Sequence, residues 1–263
     1  MIIDTHCHVW PDEIAAKILA NRPAGLEPLH NGTLDGLKRT MDDAGIDMAM
    51  CLGVAAVART VEKTNEFIGS IDRTRFIPFG TVHPELSNEV NLASLSNNGI
   101  RGVKLHPLFQ ELSFADLRVI DLVRALADDG VVVITHAGSG GDETQNSRGA
   151  PSVLRAMIDE VPNLKLIACH FGGYHRLDEA ERVMIESRAY LETSWPPRLS
   201  DLDIARVRSI ITRHGVDRVV FGSDWPMADP KSEISAVRSL GLSADEEAQI
   251  LGRNAANLLG VNL

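Results

Sequence analysis

Two histidines set two apart, His6 and His8, close a short apolar run at residues 2–5. The period of a β-strand would send both imidazoles to one face. Two ring nitrogens on one face suit a single metal ion, although a pair of core or surface histidines would have the same spacing. His136 ends a second such run, residues 131–135, and His170 ends a third, residues 164–169. Asp224 follows residues 218–222 and would serve equally as a helix N-cap, except that Trp225 and Pro226 come directly after it. A lone histidine at a strand end is more often structural than a ligand. Four histidines and one carboxylate at the ends of four runs instead form a donor set fit for a divalent cation, whose chemistry is the activation of water.

Further side chains could surround that centre. Lys104 and His106 share the strand parity of residues 102–105, and His83 follows the run 76–82; the two histidines could equally cap loops. Trp10, Trp195 and Trp225 fall just after the first, seventh and eighth runs, which suggests an aromatic-lined pocket, although packing under loops is the commoner role for any one of them. The polar, glycine-rich stretch 138–149 reads as a mobile lid. Its Arg148 is the residue best suited to hold a carboxylate in a bidentate pair, or else a solvated loop arginine. His30, His175 and His214 read as surface or structural residues.

The elements that must position these groups are eight short, β-branched, apolar runs: residues 2–5, 48–53, 76–82, 102–105, 131–135, 164–169, 189–193 and 218–222. Several are apolar throughout, as parallel strands covered on both faces are. Helical spacing fills the intervals, as at residues 34–44 after the cap candidate Thr33, 114–128 before Gly130, 150–161 before Pro162, and 244–259 after Ser243. Eight alternating units predict an α/β protein of the (β/α)8 TIM-barrel class. A doubly wound open sheet shares the alternation, but polar residues recurring at strand C-terminal ends favour the barrel. No linker, repeat or low-complexity stretch divides the chain, so residues 1–263 are expected to form one domain.

Of the 263 residues, 44% are hydrophobic and 24% charged, enough for a sizeable core and unlike a disordered chain. A net charge of −10 disfavours non-specific binding to nucleic acid or anionic membrane surfaces. Three cysteines, Cys7, Cys51 and Cys169, lie mostly within apolar runs and read as reduced thiols of a cytoplasmic protein. The first residues lack the basic and apolar regions of a signal peptide, and no apolar run approaches the roughly 20 residues of a membrane helix. A small-molecule substrate is the partner expected, with homo-oligomerisation left open.

With these residues in view, the chain resembles the amidohydrolase superfamily, in particular the amidohydrolase-2 branch of hydrolases and non-oxidative decarboxylases. The resemblance spans nearly the full length. It rests on Asp4-Thr5-His6-Cys7-His8, Thr135-His136-Ala137, Cys169-His170-Phe171-Gly172-Gly173, Phe221-Gly222-Ser223-Asp224-Trp225-Pro226 and Asn254-Ala255-Ala256-Asn257-Leu258-Leu259. It implies that His6, His8 and His136 bind one divalent metal ion, that Asp224 binds it or its water, and that His170 acts in catalysis. Zinc suits such donors best, with manganese, cobalt or iron as alternatives. Lys104 matches the strand at which two-metal relatives carry a bridging carboxylated lysine; in a one-metal branch it is expected to contact a substrate anion. The activity implied is a metal-dependent hydrolase cleaving an amide, lactone or other ester bond. Decarboxylation of an aromatic or unsaturated acid is the alternative, and an inactive metal-stabilised binding protein a third reading.

Overall fold

The computed structural model describes residues 1–20 and 26–261. Eight strands follow in chain order: β1 (Ile3–His8), β2 (Met48–Leu52), β3 (Phe76–Phe79), β4 (Gly102–Leu105), β5 (Val132–Thr135), β6 (Lys165–Ala168), β7 (Tyr190–Glu192) and β8 (Val219–Val220). Seven of the apolar runs contain one of them whole, and helices lie between; the first, residues 2–5, only overlaps β1, which runs on through His6 to His8. By backbone contacts the chain divides into two compact units, Met1–Cys51 with Asp72–Ile77 and Thr193–Leu263, and Leu52–Ile71 with Pro78–Glu192.

In the first unit β1 is buried along its whole length, although four of its six residues are polar. Its backbone is satisfied by the chain around β8: Thr5 N–H donates to the Phe221 carbonyl at 3.0 Å and His8 N–H to that of Trp225 at 2.7 Å. Helix Leu34–Ala44 starts where Thr33 accepts the Gly36 N–H and stops at Gly45, whose φ of 69° is the left-handed conformation of a C-cap. Leu37 and Met41, four apart, are buried on its inner face. The closing helix differs from the sequence expectation. Ser243 and Glu246 form a capping box, but the α-helix runs only to Ala248, and a π-turn, Gln249–Arg253, intervenes before helix Asn254–Leu259. The wider turn lets the backbone meet the strands. The Ile250 carbonyl accepts from Phe221 N–H at 2.9 Å, and a Cβ at Gly252 would lie 2.4 Å from the Met1 carbonyl oxygen. Asn254 Nδ2 donates to the Val216 and Val219 carbonyls, both at 2.7 Å.

In the second unit β4 to β7 lie side by side and parallel, with Leu105 opposite Thr135, Thr135 opposite Ala168, and Ala168 opposite Leu191. This register sets the next residues, His106, His136, Cys169 and Glu192, level at the C-terminal ends of four adjacent strands. Helix Leu117–Asp128 begins three residues later than its apolar spacing suggests, because Asp116 accepts the Arg118 N–H at 2.9 Å and so makes the cap. Residues 138–149 are not an open loop throughout. Asp142 caps a short helix, Glu143–Arg148, and Asn146 Oδ1 accepts the N–H groups of Gly140 and Gly141.

Candidate metal centre

Strand period brings His6 and His8 together as expected: their Nε2 atoms are 3.2 Å apart. Asp224 Oδ1 lies 3.2 Å from His6 Nε2 and 3.6 Å from His8 Nε2, so three donor atoms form a nearly equilateral triangle in the first unit. Four ligands at zinc's usual bond length of about 2.0–2.1 Å stand about 3.3 Å apart in a tetrahedron. The triangle therefore matches one face of such a polyhedron, and two imidazoles with a carboxylate are donors that a divalent ion accepts. All three residues are buried. Ser194 Oγ lies 3.3 Å from His6 Nδ1 and orients the ring through the nitrogen turned away from the triangle.

Asp224 is not a helix cap. Its φ is 63°, and the next helix, Pro230–Arg238, is capped by Asp229. Just before the left-handed turn at Asp224, Ser223 donates its N–H and its hydroxyl to the fully buried Asp4. Burial pushes the Asp4 carboxyl up to about 6, against the lowering effect of hydrogen bonds from Ser223 and His6. A signal for Asp4 was present: it shares the parity of His6 and His8 and so points to the same face.

In the second unit His136 Nδ1 and His170 Nε2 are 3.2 Å apart. The other nitrogen of His136, Nε2, sits 3.0 Å from the Ser139 carbonyl, which fixes the ring and leaves Nδ1 toward His170. Burial, with the positive charge of Lys104, holds His136 down to about 3, so the ring is neutral. His170 lies at φ 58°, in a left-handed turn with Phe171, and its N–H donates to Glu192 Oε2 at 3.3 Å. Glu192, at the end of β7, carries no mark in the sequence beyond being an acid near the end of an apolar run.

Lys104 is fully buried and its Nζ donates to Cys169 Sγ at 3.2 Å. His106 is stacked between Phe109, at 3.9 Å, and His136, at 4.7 Å. Its N–H donates to Gln110 Oε1, while Gln110 Nε2 donates to the carbonyls of Ala55 and Val82 and ties the loops after β2 and β3 to that after β4. His83 is held apart in its own loop, where Asn91 accepts its N–H. Tyr174 packs on both His136 and His170. Its backbone runs so close to Gly138 that a Cβ there would stand 2.3 Å from the Tyr174 nitrogen.

The three tryptophans do not share one setting. Trp10 stacks on His8 with ring centroids 6.0 Å apart, and Trp195 is buried at the end of the seventh strand segment. Trp225 is fully buried: its indole N–H donates to Thr40 Oγ1 at 3.3 Å and its ring lies against His30, so it packs the interior rather than lining an open wall. Arg148 ends the short helix after β5, half-buried. His175 is exposed, whereas His214 is buried in the helix Ile204–His214.

Parallel strands alternating with helices, with polar groups at the strand C-terminal ends, define the class of α/β-barrel enzymes. Solved structures agree on the fold. An uncharacterised TIM-barrel protein from Bordetella bronchiseptica superposes with a TM-score of 0.78 at 22% identity, over 99% of this chain and 98% of that one. A Pseudomonas putida protein named as a 2-pyrone-4,6-dicarboxylic acid hydrolase gives 0.70 at 19%, over 100% and 98%. A dihydroxybenzoic acid decarboxylase from a Polaromonas species, holding manganese and the inhibitor 2-nitroresorcinol, gives 0.75 at 19%, over 100% and 97%. No curated protein sequence matches. Residues 3–261 match the Amidohydrolase family, and the chain belongs to that family of enzymes.

Proposed function

We propose that the protein is a metal-dependent hydrolase that cleaves an amide, lactone or other ester bond of a small molecule. The observation that carries this reading is the triangle of His6, His8 and Asp224, whose edges of 3.2, 3.2 and 3.6 Å suit one divalent ion. The family pattern adds His136 as a further ligand, and zinc is the ion that best suits three imidazoles and a carboxylate; manganese, present in the Polaromonas relative, is the first alternative. When bound, such an ion supplies a Lewis acid and can lower the pKa of water to about 7.

The chain's own groups do the rest. Asp224 takes the proton of the attacking water and returns it to the leaving group. His170 donates to the oxyanion that develops on the carbonyl. Lys104 and Arg148 meet substrate anions; Trp10 and Trp195 in the first unit, and His106 in the second, are the residues that contact apolar parts of the substrate. We read residues 1–263 as a single such domain, a reading supported by the family match over 3–261. We also take the protein to be cytoplasmic and to act on a small molecule rather than on nucleic acid or a membrane. No helix among the described residues is long and apolar enough to cross a membrane.

Decarboxylation of an aromatic acid is the second reading, favoured by Trp10 stacked on His8 and by the decarboxylase among the structural relatives. A screen of lactones, amides and hydroxybenzoates on zinc- and manganese-loaded protein separates the two. Hydrolysis of a lactone or amide is expected; carbon dioxide release from hydroxybenzoates without any hydrolysis would reverse the order.

A further inference from the structure

The first unit contains a buried hydrogen-bond relay behind the triangle of His6, His8 and Asp224. Asp4 Oδ1 accepts two backbone N–H groups, those of His6 and Ser223, each at 3.0 Å. Its other oxygen, Oδ2, accepts the Ser223 hydroxyl at 2.6 Å. That hydroxyl, having donated to Asp4, accepts the Trp225 N–H at 3.1 Å. Trp225 in turn offers its carbonyl to the His8 N–H at 2.7 Å.

One carboxylate thus holds the Gly222–Ser223 peptide directly and, through the Ser223 hydroxyl, the Asp224–Trp225 peptide, and it reaches the backbone of His6 directly and that of His8 through Trp225. Asp4 and Ser223 are both fully buried, so no solvent water replaces a lost bond. A left-handed non-glycine residue persists only where its surroundings over-determine it. The relay, together with the Met227 N–H donated to the Asp224 carbonyl at 2.8 Å, over-determines Asp224.

We propose that Asp4 is a positioning residue for the metal centre: through Ser223 it fixes the turn that carries Asp224 and holds the strand end bearing His6 and His8, and so sets the affinity for the ion. This rests on the metal reading above. The ligands are small rigid groups on backbone that moves only if the relay breaks, so the relay's effect falls on binding before it falls on chemistry. Asparagine at residue 4 keeps one acceptor oxygen for the two N–H groups but presents an NH2 donor where the Ser223 hydroxyl needs an acceptor. Alanine at residue 223 leaves Asp4 intact and removes the bond to Trp225 N–H.

The test is titration of the metal-free full chain with Mn2+, following free ion by electron paramagnetic resonance, for wild type, Asp4→Asn, Ser223→Ala and the double variant. Far-UV circular dichroism and metal-free melting temperature are recorded alongside. Partners behind metal ligands typically contribute about 10- to 100-fold in affinity, and a loss of that size is expected for each single variant. The double variant should lose little more than the worse single one, because both changes cut the same relay. Folded single variants that bind Mn2+ as wild type does, even with lowered melting temperature, would make Asp4 a mere structural staple and overturn the proposal. Should Asp4→Asn not fold, Ser223→Ala decides alone. Failure of the wild type itself to bind Mn2+ or Zn2+ would instead overturn the metal reading, and the relay's role with it.

Discussion

Asp224 and His170, the two proton-handling residues proposed, both occupy left-handed backbone, at φ 63° and 58°. For most side chains that conformation costs roughly 1–2 kcal/mol, with Asn and Asp the best tolerated after glycine. Asp224→Asn should therefore retain the turn while losing the proton acceptor. With the ion supplied in excess so that the site stays loaded, turnover is expected to fall by about 100-fold or more; undiminished turnover would remove Asp224 from proton transfer. Asp224→Ala should be less stable than Asp224→Asn by about 1 kcal/mol in urea unfolding of the metal-free protein, a comparison that isolates the backbone from the chemistry. Much at this scale was legible. The spacing of His6 and His8 placed them on one face, and strand ends located His136, His170 and Asp224. The relay from Asp4 and the left-handed turns were not, because they depend on bonds between residues as far apart as Asp4 and Ser223.

At the scale of elements, local chemistry decides where helices begin and where they deform. Thr33 caps Leu34–Ala44 as its residue type suggests, and Thr33→Ala should lower unfolding free energy by about 1 kcal/mol. Apolar spacing could set neither the start of helix Leu117–Asp128, because Asp116 outcompetes Phe114 for the boundary, nor the π-turn Gln249–Arg253. That turn answers to tertiary bonding: Ile250 serves Phe221, and Gly252 lies against Met1. Gly252→Ala should cost about 1–3 kcal/mol by overpacking, seen as a lower midpoint in urea; an unchanged midpoint would mean that the close approach to Met1 relaxes freely. The strands were read more fully than the helices. Strands β4 and β5 are buried along their whole length on both faces, and compact β-branched runs of that kind leave a clear mark in sequence, whereas β1, with four polar residues of six, is marked only by its first residues.

For the whole molecule, the match over residues 3–261 and the structural relatives agree on an α/β TIM-barrel member of the amidohydrolase family. The fold class is legible in eight alternating strand–helix units and the family in the order of the motifs, but the relay that Asp4 makes is not. All three cysteines are free and buried, and burial raises the Cys7 and Cys51 thiols well above their usual range. The native protein should therefore resist a thiol-labelling disulfide reagent, and all three should react once it is unfolded; rapid labelling in buffer would contradict the packing described. The most direct test of the central claim is metal analysis of wild type and of a His6→Ala/His8→Ala double variant, each loaded with zinc and freed of excess ion. The wild type should keep about one ion per chain and melt at a higher temperature than its metal-free form, as any ligand of the native state requires. The folded double variant should keep none; equal zinc in both would contradict the account.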